Sequence, residues 1–303
     1  MNRRWRAIWI LTGVMTFWGC TFVLTKDVIG DIPPLTLAFV RVAIGFLVLL
    51  PIAWQRYRRM SAPLPWWSMF AMGAIGVAFY YGVFNLGLVY TSAAQGALVQ
   101  SCIPAMTALV AIVWLRERAS RLRLAGIALS VIGVVLIFSG GVAANGSESA
   151  PVLGNMLIFL SVAAWAVYTS MAKRLAHVDA MVLTAAVIGA GALLLLPTAV
   201  VELHGRGLPH LTTVQWLEVL LLGAGASGLA YMLYNLALQD LDASAVGVFA
   251  NLIPVVGVLS GVVVLGDEIS VRSIVGGLIV LAGVWITGRE QQAVGDRPAS
   301  SSG

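Results

Sequence analysis

Long apolar runs alternate with short polar turns along almost the whole chain. The runs fall at 8–26, 33–54, 66–88, 93–115, 122–141, 154–173, 180–202, 214–238, 243–265 and 271–288. Each is close to the ~20 residues an α-helix needs to cross a bilayer core. The pattern predicts an all-α integral membrane protein with ten transmembrane helices. The breaks carry turn chemistry, as at Pro33-Pro34, Ala62-Pro63-Leu64-Pro65 and Asn145-Gly146-Ser147.

Composition agrees with this pattern. Of 303 residues, 60% are hydrophobic and 10% are charged, against ~45–50% and ~25% in soluble domains. No length remains for a soluble domain, which excludes most cytoplasmic enzyme classes. The net charge of +5 is no nucleic-acid signal, because the basic residues cluster between the runs. Arg3, Arg4 and Arg6, then Arg56, Arg58 and Arg59, then Arg116, Arg118, Arg121 and Arg123 fall on one side, with Lys173, Arg174, Arg289 and Arg297. Only Lys26, Arg206 and Arg272 fall on the other. By the positive-inside rule both termini are cytoplasmic. Cys20 and Cys102 lie inside apolar runs and read as small buried hydrophobes.

The two halves of the chain match. A shift of 147 brings Trp18 onto Trp165 and Lys26 onto Lys173. A shift of 150 brings Tyr81 onto Tyr231, Asn85 onto Asn235, Pro104 onto Pro254, Gly126 onto Gly276 and Gly133 onto Gly283. Such matches are rare between unrelated apolar helices. Five helices is an odd number, so the second half starts on the outside and runs inverted. The expected units are a first repeat over 1–141, an external linker over 142–153, an inverted repeat over 154–288 and a disordered cytoplasmic tail over 289–303. An inverted repeat marks secondary transporters, whose site lies near the midplane between the halves.

The chain resembles the drug/metabolite transporter superfamily, in its EamA-like branch of ten-helix exporters. The carriers are Phe17-Trp18-Gly19 and Phe22 before Lys26, the Pro34-to-Arg41 stretch, and the stretch from Ala93 to Pro104. Leu115-Arg116-Glu117-Arg118 and the glycines Gly126 and Gly133 add to them. It is most similar to the bacterial exporters of aromatic amino acids. The resemblance implies export from the cytoplasm across a bacterial inner membrane.

Several residues are candidates for a substrate site. Trp5, Trp9, Trp54, Trp66, Trp67, Trp114, Trp216 and Trp285 fall near run ends, as an aromatic belt does. Trp18 and Trp165 alone sit mid-span, with Tyr168 one turn from Trp165. They line a cavity or pack between helices. Tyr81 and Asn85, like Tyr231 and Asn235, share a helical face and either bind substrate or tie helices together. Pro104 and Pro254 each free a backbone carbonyl, at Gln100 and Ala250, and suit a hinge. Gln100, Ser101 and Asn251 flank them and suit a substrate head group. Arg41, inside the second run, either meets a carboxylate or caps helix carbonyls. Lys26 and Lys173 are expected to reach the interface by snorkelling, and Glu117 and Asp267 to pair with surface arginines.

The resulting expectation is alternating-access export of small neutral zwitterions, aromatic and other neutral amino acids first among them. Purines or amphipathic drugs are the alternative cargo. The lipid bilayer and the small-molecule substrate are the expected partners, with no nucleic acid. No cofactor, metal or catalytic residue is expected, and one monomer suffices for one pathway. No run has a central Asp, Glu or His, which argues for facilitative transport.

Overall fold

The computed structural model describes residues 3–61, 63–114, 120–139, 150–207, 209–240 and 249–295. Among these, every regular element is helical. The helices are α1 (Arg3–Val28), α2 (Pro34–Tyr57), α3 (Trp66–Tyr90), α4 (Ala93–Trp114), α5 (Arg121–Ser139), α6 (Pro151–Arg174), α7 (Ala180–Arg206), α8 (Thr213–Gln239), α9 (Leu252–Leu265) and α10 (Val271–Gly295). The first eight are long and apolar enough to cross a membrane, and the apolar parts of α9 and α10 are shorter. α10 runs past the expected end at 288. Residues 115, 140–149, 243–248 and 296–303, which include parts of three expected runs, the linker and the tail, lie outside the described residues.

The helix ends are fixed by residues the sequence supplies. Ser92 Oγ accepts from Gln95 N at 3.1 Å to start α4, and Asp179 accepts from Met181 and Val182 to start α7. Thr212 and Gln215 form a reciprocal capping box on α8. Two further helix starts are capped from across the bundle. Glu202 accepts from Thr36 N at 2.7 Å at the start of α2, and Asp267 accepts from Ala94 N at 2.8 Å at the start of α4. Gly266 makes the second cap possible. Its left-handed backbone (φ 69) ends α9, and Asp267 N donates back to Gly261 O.

Close backbone approach holds the helices together, as it does where hydrophobic force between helices is weak. A Cβ at Gly133 would lie 2.6 Å from Gly276 O, so α5 and α10 touch backbone to backbone. A Cβ on Gly45 of α2 would lie 2.9 Å from Gly228 N of α8. One on Gly73 of α3 would lie 2.6 Å from Val187 O of α7. Each of α2 and α7 thus packs on a helix of the other half. Large apolar side chains such as Leu193, Val201, Val263 and Val271 cover the outside. Trp9, Trp54, Trp66, Trp67, Trp114, Trp216 and Trp285 are also exposed there, whereas the side chain of Trp5 lies outside the described residues.

Two irregularities matter for the centre. α4 is interrupted at Ser101–Cys102 and resumes at Ile103, which places Pro104 in a first helical turn. α9 begins after Asn251, which leaves Pro254 in the same kind of position. At a helix start the missing N–H costs little, so both prolines mark breaks rather than bends in continuous helices. The second irregularity was not foreseen. α3 widens to π-helix at Ala74–Phe79, and α8 does so at Leu221–Ala230.

Candidate functional site

The wide turns carry the central rings. Tyr80 and Tyr81 directly follow the π-helical stretch of α3, and Tyr231 directly follows that of α8. Trp18 enters from α1, and Trp165 and Tyr168 enter from α6. Trp165 is the hub. Its ring centre lies 5.0 Å from Tyr168, 5.3 Å from Trp18, and 5.4 Å from both Tyr80 and Tyr231. The Trp18 and Tyr231 pairs are edge-to-face and the Tyr168 pair is stacked, and such pairs add ~0.5–1.5 kcal/mol beyond area burial. Trp18 Nε1 donates to Ala226 O at 3.1 Å, inside the widened turn of α8. The hydroxyls cross between halves: Tyr231 donates to Gly76 O at 3.1 Å, and Ser227 donates to the Tyr81 hydroxyl at 3.2 Å.

A cavity of about 30 Å³ lies among these rings, walled in part by Trp18, Arg41, Tyr81, Gln100, Trp165 and Tyr231. That is space for about one or two waters. A larger molecule enters only when the walls part.

Arg41 is 2% exposed and sits at the edge of this cavity. Its Nε donates to Ser227 Oγ at 3.0 Å, its Nη1 lies 3.4 Å from Thr25 Oγ1, and its guanidinium carbon lies 4.3 Å from the Tyr81 ring centre. Its partners are hydroxyls and an aromatic face, not the helix carbonyls considered from the sequence. A mid-membrane arginine costs ~2.5–3.5 kcal/mol on insertion scales. A desolvated cation–π contact returns ~2 kcal/mol or more.

Residues 5–139 and 152–289 match the model of the EamA-like transporter family. The chain belongs to the EamA-like transporter family. Among its relatives is an uncharacterized transporter of Archaeoglobus fulgidus, 29% identical over 93% of this chain and 99% of that one. An uncharacterized transporter of Bacillus subtilis is 26% identical over 91% of each chain. A Salmonella typhimurium protein named "Probable amino-acid metabolite efflux pump" is 26% identical over 90% of this chain and 91% of that one. A solved crystal structure covers 98% of this chain at 23% identity with a TM-score of 0.67, a likeness of fold. This EamA-like chain is therefore a multi-pass membrane transporter.

Not every expected site residue of this EamA-like chain meets the cavity. Trp18, Tyr81, Gln100, Trp165, Tyr231 and Arg41 do. Tyr168 stacks behind Trp165, and its hydroxyl is held by the Asn235 carboxamide, which also donates to Thr184 Oγ1 at 2.9 Å. Asn85 Nδ2 donates to Pro34 O at 3.0 Å, and Ser101 Oγ donates to Leu98 O at 2.6 Å. Asn251 stands at the start of α9, away from the cavity wall. Ser101 and Asn235 thus spend their polar groups on internal hydrogen bonds, whereas the buried Oδ1 atoms of Asn85 and Asn251 have no hydrogen-bond partner among the described residues. Lys26 does not simply snorkel: its Nζ donates to Leu88 O at 2.9 Å and Thr91 O at 2.7 Å, closing the C-terminus of α3. Lys173 reaches Leu238 O at 3.3 Å, at the matching end of α8. Asp267 caps α4 rather than pairing with a surface arginine, and Glu117 lies outside the described residues.

Sequence reasoning missed Thr21, Phe22, Tyr80 and Phe84, all on the cavity wall. Gln100 Nε2 donates to the Tyr80 hydroxyl at 3.2 Å. Thr21 had a signal, since the 147 shift pairs it with Tyr168. Tyr80 had none, because a regular helix turns adjacent residues ~100° apart, whereas both tyrosines here reach the cavity beside a widened turn.

Proposed function

We propose that this chain exports small neutral zwitterionic metabolites, aromatic and other neutral amino acids in particular, across a bacterial inner membrane. The observation that carries the reading is the aromatic cage: the rings of Tyr80, Tyr168, Tyr231 and Tyr234, from three helices, around Trp165 and Trp18, with the Gln100 carboxamide as a polar wall. Such a cage offers stacking faces to an aromatic side chain and hydrogen-bonding groups to its head group. The relative named for amino-acid metabolite efflux is consistent with it.

The architecture of this reading is ten spans in two inverted five-helix repeats, with both termini in the cytoplasm. Crosswise contact supports it. Gly133 faces Gly276 and Gly126 faces Gly283, and the 150 shift pairs Gly126 with Gly276 and Gly133 with Gly283. Reciprocal contact of this sort is what a twofold relation between halves produces. Transport is facilitative, since no central Asp, Glu or His stands in a span to carry a proton.

The test is a transport panel with purified protein in liposomes, comparing neutral amino acids, purines and amphipathic cations. Saturable counterflow of aromatic amino acids supports the reading. Counterflow of purines or cations alone overturns the substrate class. Accumulation above equal concentration, driven by an imposed pH gradient and abolished by an ionophore, overturns the facilitative mode.

A further inference from the structure

Arg41 carries a full charge at the heart of the bundle, and its surroundings are neutral. Among the described residues no carboxylate lies within ion-pair distance of Arg41, unlike Arg56, which pairs with Asp179 at the surface at 2.8 Å. A guanidinium has five N–H donors and stays protonated in proteins. Two hydroxyls occupy Nε and one position on Nη1, and the Tyr81 ring covers one face. The remaining donors have no acceptor among the described residues. Structural arginines in apolar interiors are normally paired with an anion, so this one is a prepared site without its anion.

The supports are built to hold the charge in place. Thr25 is fully buried in α1, Ser227 lies in the widened turn of α8, and Tyr81 follows the widened turn of α3. Three helices besides α2 therefore fix one guanidinium at a cavity wall. The 147 shift puts Ile188 opposite Arg41 in the second half, so the positive charge marks one side of an otherwise paired cage. A substrate with a ring and one anionic group has one way to lie: ring against Trp18 and Trp165, anion toward Arg41.

We propose that Arg41 is the anchor for the substrate's carboxylate, and that it selects carboxylate-bearing aromatic molecules over amines and neutral heterocycles. The inference rests on the proposed substrate class and adds to it the group that is read. Carboxylate recognition suits a guanidinium, which offers two parallel N–H donors in the plane of the acid. The same charge repels an amphipathic cation.

The experiment uses the full-length protein in detergent and reads ligand binding by intrinsic tryptophan fluorescence, which Trp18 and Trp165 bring into the cavity. The probes are L-phenylalanine, 3-phenylpropionate, phenethylamine and hypoxanthine. Wild-type protein is expected to bind the two carboxylates at least tenfold more tightly than the amine or the purine. Arg41→Gln is expected to weaken both carboxylates tenfold or more and to leave the amine unchanged or tighter, with Arg41→Lys between. Carboxylate affinity retained in a folded Arg41→Gln protein overturns the anchor. So does a wild-type preference for the amine or hypoxanthine, or no binding of either carboxylate. If Arg41→Gln fails to fold, the wild-type ranking and the Lys variant still decide. Binding of 3-phenylpropionate without L-phenylalanine overturns the amino-acid reading alone and leaves the anchor standing.

Discussion

Replacing Lys26 with methionine separates two physical roles for one side chain. Methionine keeps an apolar stem of similar reach and removes the ammonium. If Lys26 merely snorkelled, the change would cost almost nothing. In the structure its Nζ closes two carbonyls at the end of α3, Leu88 O at 2.9 Å and Thr91 O at 2.7 Å. Hydrogen bonds to a charged group contribute ~1.5–3 kcal/mol each, and a cation at a helix C-terminus adds ~0.3–1 kcal/mol. The side chain is only part-buried, so water recovers some of this. The expected loss is ~2–3 kcal/mol for Lys26→Met and about half that for Lys26→Arg. Lys173 is the internal control. It makes a 3.3 Å contact to Leu238 O from an exposed position, and Lys173→Met should cost less than ~1 kcal/mol. Denaturant unfolding in micelles measures the totals. Hydrogen exchange across 84–96 localises the effect, with faster exchange expected in Lys26→Met. Equal losses at Lys26 and Lys173, or unchanged exchange in that segment, would refute the capping argument.

Gly133→Val should destabilise the folded protein by ~1–3 kcal/mol or more, since its Cβ would sit 2.6 Å from Gly276 O and no flexible side chain can give way; an unchanged unfolding midpoint would contradict the backbone contact. Asp267→Asn should cost ~0.5–2 kcal/mol through the weakened cap on Ala94 N, read as a lower midpoint that Asp267→Glu partly restores. Trp165→Ala removes a ring that is 5% exposed and touches five other rings, so a stability loss of ~3–5 kcal/mol is expected, along with lost aromatic amino-acid transport; full stability with lost transport would show that the ring only lines the cavity. Cysteines at Ser147 and Ser302, in protein lacking Cys20 and Cys102, should differ in labelling by an impermeant thiol reagent on intact cells. Labelling at Ser302 and not at Ser147 would refute cytoplasmic termini.

The helices were legible because lipid imposes one rule on every span. Apolar length alone marks α1 to α8, and the mid-span indoles Trp18 and Trp165 mark the centre. Residue type was a poorer guide to polar roles. Asn85, Ser101 and Asn235 look like substrate contacts when listed by face, yet each satisfies a neighbour inside the bundle. A buried carboxamide takes the nearest partner, and which partner is nearest depends on packing that periodicity does not encode. The widened turns escaped for a different reason. A π-helical stretch changes the period that face assignment assumes, so a regular helix through Tyr81 turns Tyr80 off the face it shares in the structure, although the glycines of Leu221–Ala230 are visible in the sequence.

The tyrosine contacts across the midline have a mechanical consequence. Tyr231 hangs on a carbonyl of the first half's wide turn, and Tyr81 is held by a serine in the second half's wide turn. Each half grips the other at its own widened turn. One grip cannot slacken far while the other holds, because Arg41 also bridges from α2 to Ser227. Parting the cage is therefore a single concerted release. Substitutions that loosen either tyrosine should make the centre yield as a unit, with both wide turns becoming more open to hydrogen exchange together.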